Sequence, residues 1–237
     1  MTYSRRPVLL DLFCKAGGAT KGYQQSGFYV VGVDIEPQPH YCGDEFHQAD
    51  AITYPLKGYD AYHASPPCQP YTLMAQGLLQ SQNKAHEYPK LIEPIRALLV
   101  ATGKPYVIEN VPGAPLIDPI RLCGSSFGLK VQRHRLFECN FPIMALPCAH
   151  YWQGKEDLPP LHRLVGHSRV IGVYGNGRGK GDNLSLWSEG MGITWMTRKE
   201  LSQAIPPAYT KFIGKYLMVE VLYGRNTPQE ATYKSGI

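Results

Sequence analysis

Hydrophobic positions along this chain come in short runs of strand length, separated by turns rich in glycine and proline. Val8-Leu9-Leu10-Asp11-Leu12-Phe13 ends in Lys15-Ala16-Gly17-Gly18, and a helical stretch from Ala19 to Ser26 follows. This order predicts strand, glycine turn, helix. Tyr29-Val30-Val31-Gly32-Val33-Asp34 is a second buried strand, closing on an acid. Asp60-Ala61-Tyr62-His63-Ala64 is a third, running into Ser65-Pro66-Pro67-Cys68-Gln69-Pro70. Apolar residues recur at helical spacing from Leu91 to Thr102, Tyr106-Val107-Ile108-Glu109 is a further strand, and Leu136-Phe137 begins another after Arg133-His134-Arg135. Strands alternating with helices predict an α/β fold, a Rossmann-like and mostly parallel sheet. Its ligands should lie outside the carboxyl ends of the strands.

After Phe141 the pattern changes. Pro142, Pro147, Pro159 and Pro160 break the chain, and Gly175 to Gly181 is glycine-rich and basic. Helical periodicity returns at Thr197–Leu201 and at Ala208–Met218. The expected organisation is one α/β domain built from residues 1–140 and 197–237, carrying a small, irregular insert at 141–196.

With 237 residues, 43% hydrophobic and 18% charged, the composition is globular and excludes a disordered or fibrous chain. No apolar run approaches the roughly 18 residues of a membrane span. The Arg5-Arg6 start is not followed by a sustained apolar stretch, since Asp11 and Lys15 interrupt it. The expectation is a monomer without a membrane partner, acting in the cytoplasm of a bacterium or, as a phage protein, in that of its host. The six cysteines are scattered, which suits reduced thiols. Charge is unevenly spread: residues 1–115 hold 9 Lys+Arg against 10 Asp+Glu, whereas residues 116–237 hold 15 against 9. A near-neutral half followed by a basic half suits a small-molecule site beside a polyanion-binding surface, or a mildly basic solvated face.

Several residues carry candidate chemistry. The first turn offers backbone amides at Gly17 and Gly18, and Asp34 at the end of the second strand is placed to accept from ribose hydroxyls. The glycines do not form G-x-G-x-x-G, which favours an adenosyl cofactor without a pyrophosphate. Prolines on both sides of Cys68 stiffen its loop, and a thiol held there is a candidate nucleophile. Glu109 closes a strand between apolar residues, where a raised pKa would suit proton donation. Arg133 and Arg135 offer fixed positive charge.

Taken in order, these segments resemble the S-adenosylmethionine-dependent cytosine-C5 DNA methyltransferases. Asp11-Leu12-Phe13 with Gly17-Gly18 is similar to the first motif of that family, and Gly32-Val33-Asp34-Ile35-Glu36-Pro37 to the second. Asp50-Ala51-Ile52 is similar to the third, Pro67-Cys68-Gln69 to the nucleophile motif and Glu109-Asn110-Val111 to the glutamate motif. Arg133-x-Arg135 matches the arginine pair, and Gln203-Ala204-Ile205-Pro206-Pro207 the last motif. The resemblance implies catalytic roles for Cys68, Glu109, Arg133 and Arg135. It implies that Phe13 and Ile35 sandwich the adenine of S-adenosylmethionine, that Asp34 binds ribose and that Asp50 meets the adenine edge. Asp11, Gly17, Gly18, Ala51, Pro67, Leu91, Gln203 and Ala204 complete the implied cofactor site. The implied substrate is double-stranded DNA with the target base flipped out. In the reaction the resemblance implies, Cys68 would add at carbon 6, Glu109 would protonate ring N3 and Arg135 would hold the base.

The chain departs from the family pattern at Val131, where a glutamine is usual, and at Ser202-Gln203, which replace Gly-Asn. Pro66-Pro67-Cys68-Gln69-Pro70-Tyr71-Thr72 is closer to the tRNA-methylating branch, so RNA remains an alternative substrate. A non-catalytic nucleic-acid binder and another nucleotide-binding α/β enzyme are further alternatives. Within the insert, Gly172 to Gly181 is similar to the family's glycine-rich recognition segments, with Arg178 and Lys180 for phosphates and Gln69 for the base. Cys139, Cys148, His150, His162 and His167 are the candidate zinc ligands. Their spacings match no common site, so no metal is expected.

Overall fold

The structure is a computed structural model and describes residues 5–71, 88–150, 170–173 and 184–224. Seven strands form one sheet: β1 (Val8–Leu12), β2 (Tyr29–Asp34), β3 (Glu45–Gln48), β4 (Ala61–Ala64), β5 (Tyr106–Asn110), β6 (Ile120–Leu122) and β7 (Arg135–Cys139). Their order across the sheet is β3-β2-β1-β4-β5-β7-β6. The first five are mutually parallel, and β7 runs antiparallel to both β5 and β6. The predicted Rossmann-like, mostly parallel α/β sheet is the observed one.

Both faces are covered, which is why β1, β2, β4 and β5 read as continuous apolar runs. Helix α1 (Gly18–Gln25) and the long α5 (Pro207–Tyr223) pack on one face, where Tyr23, Tyr209, Ile213 and Leu217 meet Leu9, Val30 and Val107. Thr210 of α5 donates to the Ala19 carbonyl at 2.8 Å, locking the returning C-terminal helix onto α1. Helix α2 (Ile92–Ala101) covers the other face, with Ile95 and Leu99 against Leu10, Leu12, Val31 and Ile108. A buried Arg96 also fixes α2 to β7, both Nε and Nη2 lying 2.8 Å from the Glu138 carboxylate. Removing Arg96 would leave the buried Glu138 charge without its cation, at about 3–5 kcal/mol.

Two features matter for the site. Alternation along the strands sends Asp11, His63 and Glu109 to the α1–α5 face, and Asp11 and His63 are register partners. Because β7 is antiparallel, its beginning lies beside the end of β5, with Leu136 opposite Asn110. Arg135 thereby reaches the edge where the parallel strands end.

The polar β3, Glu45-Phe46-His47-Gln48, and the three-residue β6 carry no apolar run and escape the sequence reading. The insert is not irregular throughout, since α3 (Leu184–Met191) lies inside it. Trp187 and Met191 of α3 pack against Ala16, Val131, Leu201 and Ala204 of the main domain. The expected helix at Thr197 is α4 (Arg198–Gln203), where the Thr197 and Glu200 side chains cap each other's backbone amides.

Candidate active site

Three elements converge at the carboxyl edge of the sheet. Cys68 sits half-buried between β4 and the 3-10 turn Gln69–Tyr71. Its loop is fixed by Asn110, whose Nδ2 donates to the Pro66 carbonyl at 2.9 Å while its Oδ1 accepts from Val111 N. Glu109 is buried at the end of β5, and Arg135 Nε lies 3.1 Å from its Oε1. Burial raises the Glu109 pKa, against the lowering influence of Arg135, the Ser65 hydroxyl and Arg133. Burial and then the Glu109 charge raise the Cys68 thiol, while Arg135 and Arg133 lower it. The thiol, the carboxyl and the two guanidiniums therefore share one electrostatic site.

Behind Glu109 runs a hydrogen-bonded chain that sequence reasoning missed. The Ser65 hydroxyl acts to lower the Glu109 pKa, and its oxygen lies 2.8 Å from His63 Nε2. His63 is fully buried, and burial lowers its pKa to about 3, which keeps the ring neutral. The Tyr23 hydroxyl lies 2.9 Å from Nδ1, so in the neutral ring one nitrogen donates and the other accepts. Tyr23, His63 and Ser65 thus form a hydrogen-bonded chain, and the Ser65 hydroxyl acts on the Glu109 carboxyl. The only clue in the sequence is a histidine inside an apolar strand.

Arg133 has another task than the arginine beside it. Its Nη1 donates to the Val173 carbonyl at 2.9 Å and its Nη2 to that of Ser202 at 2.6 Å. The Tyr209 hydroxyl donates to the Arg133 carbonyl. Arg133 thus ties the end of α4 to Val173. It reaches Glu109 and Cys68 through charge alone.

At the cofactor end, the β1–α1 turn is strained. Phe13 (φ 60°) and Lys15 (φ 46°) adopt left-handed backbone, as does Gly17 (φ 85°). Such conformations in non-glycine residues cost about 1 kcal/mol or more each and cluster at binding sites. Asp34 is buried, and its oxygens already accept from Lys15 N at 3.0 Å and Glu36 N at 3.1 Å. It shapes the turn first, whatever else it binds. Gly18 is required by close packing: a Cβ there would lie 2.5 Å from the Ile205 carbonyl. Ile35 is 67% exposed beside this turn. Asp50 is exposed and holds the Ile52 amide at 2.9 Å. Ala51 and Ala204 are buried in packing clusters. Pro67 and Leu91 are half-buried, and Gln69 and Gln203 are exposed. Arg178, Lys180 and Thr72 lie outside the described residues.

The thiols and imidazoles weighed as zinc ligands are sorted differently by the fold. Cys139 packs against the core, where burial pushes its pKa up to about 12, and His162 and His167 lie outside the described residues. Cys148 and His150 instead meet Cys123 and His134. The fold thus groups two of the weighed residues with two that spacing does not bring in, because spacing does not register contacts between separate segments.

Asp11 is fully buried; its Oδ2 accepts from Thr20 and its Oδ1 has no partner among the described residues. Burial, reinforced by the Asp34 and Glu109 charges, raises its pKa from 3.8 to about 7. The folded chain then holds a proton that the unfolded chain loses above pH 3.8, so this group costs stability as pH rises toward 7. Asp11→Asn should stabilise the free protein by about 4 kcal/mol at pH 8 and hardly at all at pH 4. Denaturant titrations at the two pH values check this. An equal effect at both would contradict it.

No protein-family model matches the chain. By sequence it is 30% identical over 132 residues to the Type II methyltransferase M.XorII of Xanthomonas oryzae pv. oryzae. That stretch is 46% of this chain and 29% of the relative, so the chain spans less than a third of that protein's length. Three solved structures share the fold. A proposed DNA modification methyltransferase from an E. coli prophage has 14% identity and a TM-score of 0.55, over 91% of this chain and 99% of that one. The S. pombe Dnmt2 methyltransferase has 14% identity and a TM-score of 0.51, over 94% and 100%. The Entamoeba histolytica methyltransferase EhMeth has 12% identity and a TM-score of 0.52, over 95% and 100%. The fold is the Rossmann-like α/β fold of these methyltransferases. The chain is thus similar over part of its length to a Type II methyltransferase and in fold to these methyltransferases.

Proposed function

We propose that the chain transfers a methyl group from S-adenosylmethionine to carbon 5 of cytosine in DNA, through a covalent adduct at Cys68. The observation that carries this reading is the meeting of Cys68, Glu109 and Arg135 where three separate elements end. Carbon 5 of cytosine is a poor nucleophile, and thiolate addition at carbon 6 makes it enamine-like. Cys68 makes that bond. Glu109, with its raised pKa, carries the proton that N3 needs, and Arg135 fixes the carboxyl's direction through Nε. Loss of the carbon 5 proton then lets the Cys68–carbon 6 bond break, returning the thiolate. A paired base hides this face, so a duplex target must leave the stack.

The cofactor site fits an adenosyl group with a cationic tail. The strained Phe13–Gly17 turn, the exposed Ile35 and the unpartnered Asp11 Oδ1 support it. Phe13 and Ile35 would flank the adenine, and the Asp11 carboxylate would favour positive charge nearby. When bound, S-adenosylmethionine supplies the methyl group as an electrophile. Arg178 and Lys180 of the insert, and the basic second half as a whole, are assigned to the nucleic-acid backbone.

Incubation with labelled S-adenosylmethionine should label cytosine in duplex DNA. DNA containing 5-fluorocytosine, which has no carbon 5 proton to lose, should trap a denaturation-resistant adduct that maps to Cys68. An active enzyme that gives no adduct would contradict the addition step. Label entering tRNA and not DNA would move the same chemistry to RNA, the substrate that the Pro66-Pro67-Cys68 loop also resembles.

A further inference from the structure

We propose that Cys123, His134, Cys148 and His150 form a tetrahedral zinc site that anchors the start of β7. The four donor atoms come from separate points of the chain. Cys123 follows β6, His134 precedes β7, and Cys148 and His150 lie on the segment that returns after β7. Their ligand atoms all lie within 4.8 Å of one another. Cys123 Sγ is 3.0 Å from His150 Nε2, and Cys148 Sγ is 3.4 Å from His134 Nε2. The two imidazole rings stand 4.9 Å apart, inclined at 57°, so that neither stacks flat on the other. With zinc–sulfur bonds near 2.3 Å and zinc–nitrogen bonds near 2.0 Å, a tetrahedron needs sulfur–nitrogen edges of roughly 3.5 Å. The observed pairs are within about half an ångström of that.

The surroundings are those of a metal site. Ser125 donates to Cys123 Sγ at 3.1 Å and accepts from the Ala149 amide at 3.0 Å, bridging the two ligand-bearing segments. Such outer contacts orient the ligands. Ser126 ties the same strips together by donating to the Pro147 carbonyl at 2.7 Å. Two thiolates and two imidazoles, with no carboxylate, select zinc over magnesium or calcium. Four protein ligands leave no open position, which makes the site structural. Binding would release the two thiol protons and neutralise the pair of thiolates with one dication.

The location gives the site a consequence. His134 stands between Arg133, which clasps Val173 and Ser202, and Arg135, which pairs with Glu109. A metal on His134 fixes the backbone from which both arginines project, so His134 is a positioning residue. The metal site stands independently of the proposed reaction, since its evidence lies in the ligands themselves.

Metal analysis of the purified full chain by inductively coupled plasma mass spectrometry should find one zinc per chain. Cobalt substitution should give the intense visible absorption of tetrahedral thiolate coordination. Cys148→Ser and His150→Ala should each lose the metal, and Cys139→Ser should retain it. Wild-type protein that is free of zinc and takes up none from a zinc–indicator buffer would overturn the proposal. So would full zinc retention by Cys148→Ser, or an intact mass lighter by two hydrogens, which would mean a Cys123–Cys148 disulfide. Should the variants not fold, the wild-type zinc content and cobalt spectrum decide alone.

Discussion

Replacing Cys68 by alanine should abolish methyl transfer, by more than about ten-thousand-fold, while leaving the fold in place. Nothing else at the site can form the bond to carbon 6, so the loss is not a matter of degree. The loop does not depend on the thiol. Its course is set by Pro66 and Pro67 and by Asn110 holding the Pro66 carbonyl. The thermal midpoint should therefore move little, since a half-buried thiol traded for a methyl costs about 1 kcal/mol or less. Nucleic-acid and cofactor affinities should be kept, as both are assigned to other residues. Turnover within tenfold of the wild type would end the nucleophile reading.

How far the fold could be read depended on burial. Strands β1, β2, β4 and β5 lie inside the sheet with both faces covered, so their sequences are runs of valine, leucine, isoleucine and alanine. Strand β3 is an edge strand, and Glu45 and Gln48 are exposed there. An edge strand buries too little to need an apolar sequence. Helix α3 buries only Trp187, Gly190 and Met191 among proline- and glycine-rich neighbours, and its short period is lost in them.

The site was legible where a residue type is itself the chemistry. Cys68 between prolines and Glu109 at a strand end stand out in any reading. The chain behind Glu109 does not, because Tyr23, His63 and Ser65 acquire their roles from the sheet's register and from α1 packing over β4. Arg133 and Arg135 look equivalent two residues apart. Only tertiary structure shows that one ends on backbone carbonyls and the other on Glu109. The zinc ligands were hidden for a similar reason: His134 sits within the arginine motif, and Cys123 lies in a different strand connection from Cys148. Sequence spacing records contacts made along one element, and these are made between elements.

Glu109→Gln should lower the rate of methyl transfer by about 10²–10⁴-fold and at the same time make Cys68 more reactive. The glutamine amide has nearly the shape of the carboxyl. Its oxygen can accept from Arg135 Nε and its nitrogen can donate to N3 of a base, so binding survives. What is lost is the proton, which an amide cannot give up. The effect on the thiol has the opposite sign. The Glu109 charge is, after burial, the largest influence raising the Cys68 pKa, and Arg135 and Arg133 act against it. Removing the negative charge leaves the two guanidiniums unopposed, and the thiolate forms at lower pH. Alkylation of Cys68 by iodoacetamide, followed against pH in the free protein, should shift its midpoint downward in Glu109→Gln. A variant that loses activity with an unchanged alkylation profile would mean that Glu109 and Cys68 do not share a field, and a fully active variant would remove Glu109 from the chemistry. Falling turnover alongside rising thiol reactivity is the signature of one proton serving two neighbours. A carboxylate that raises the thiol's pKa in the free protein ceases to do so once it holds the N3 proton, so thiolate formation is favoured when the base is in position to receive it.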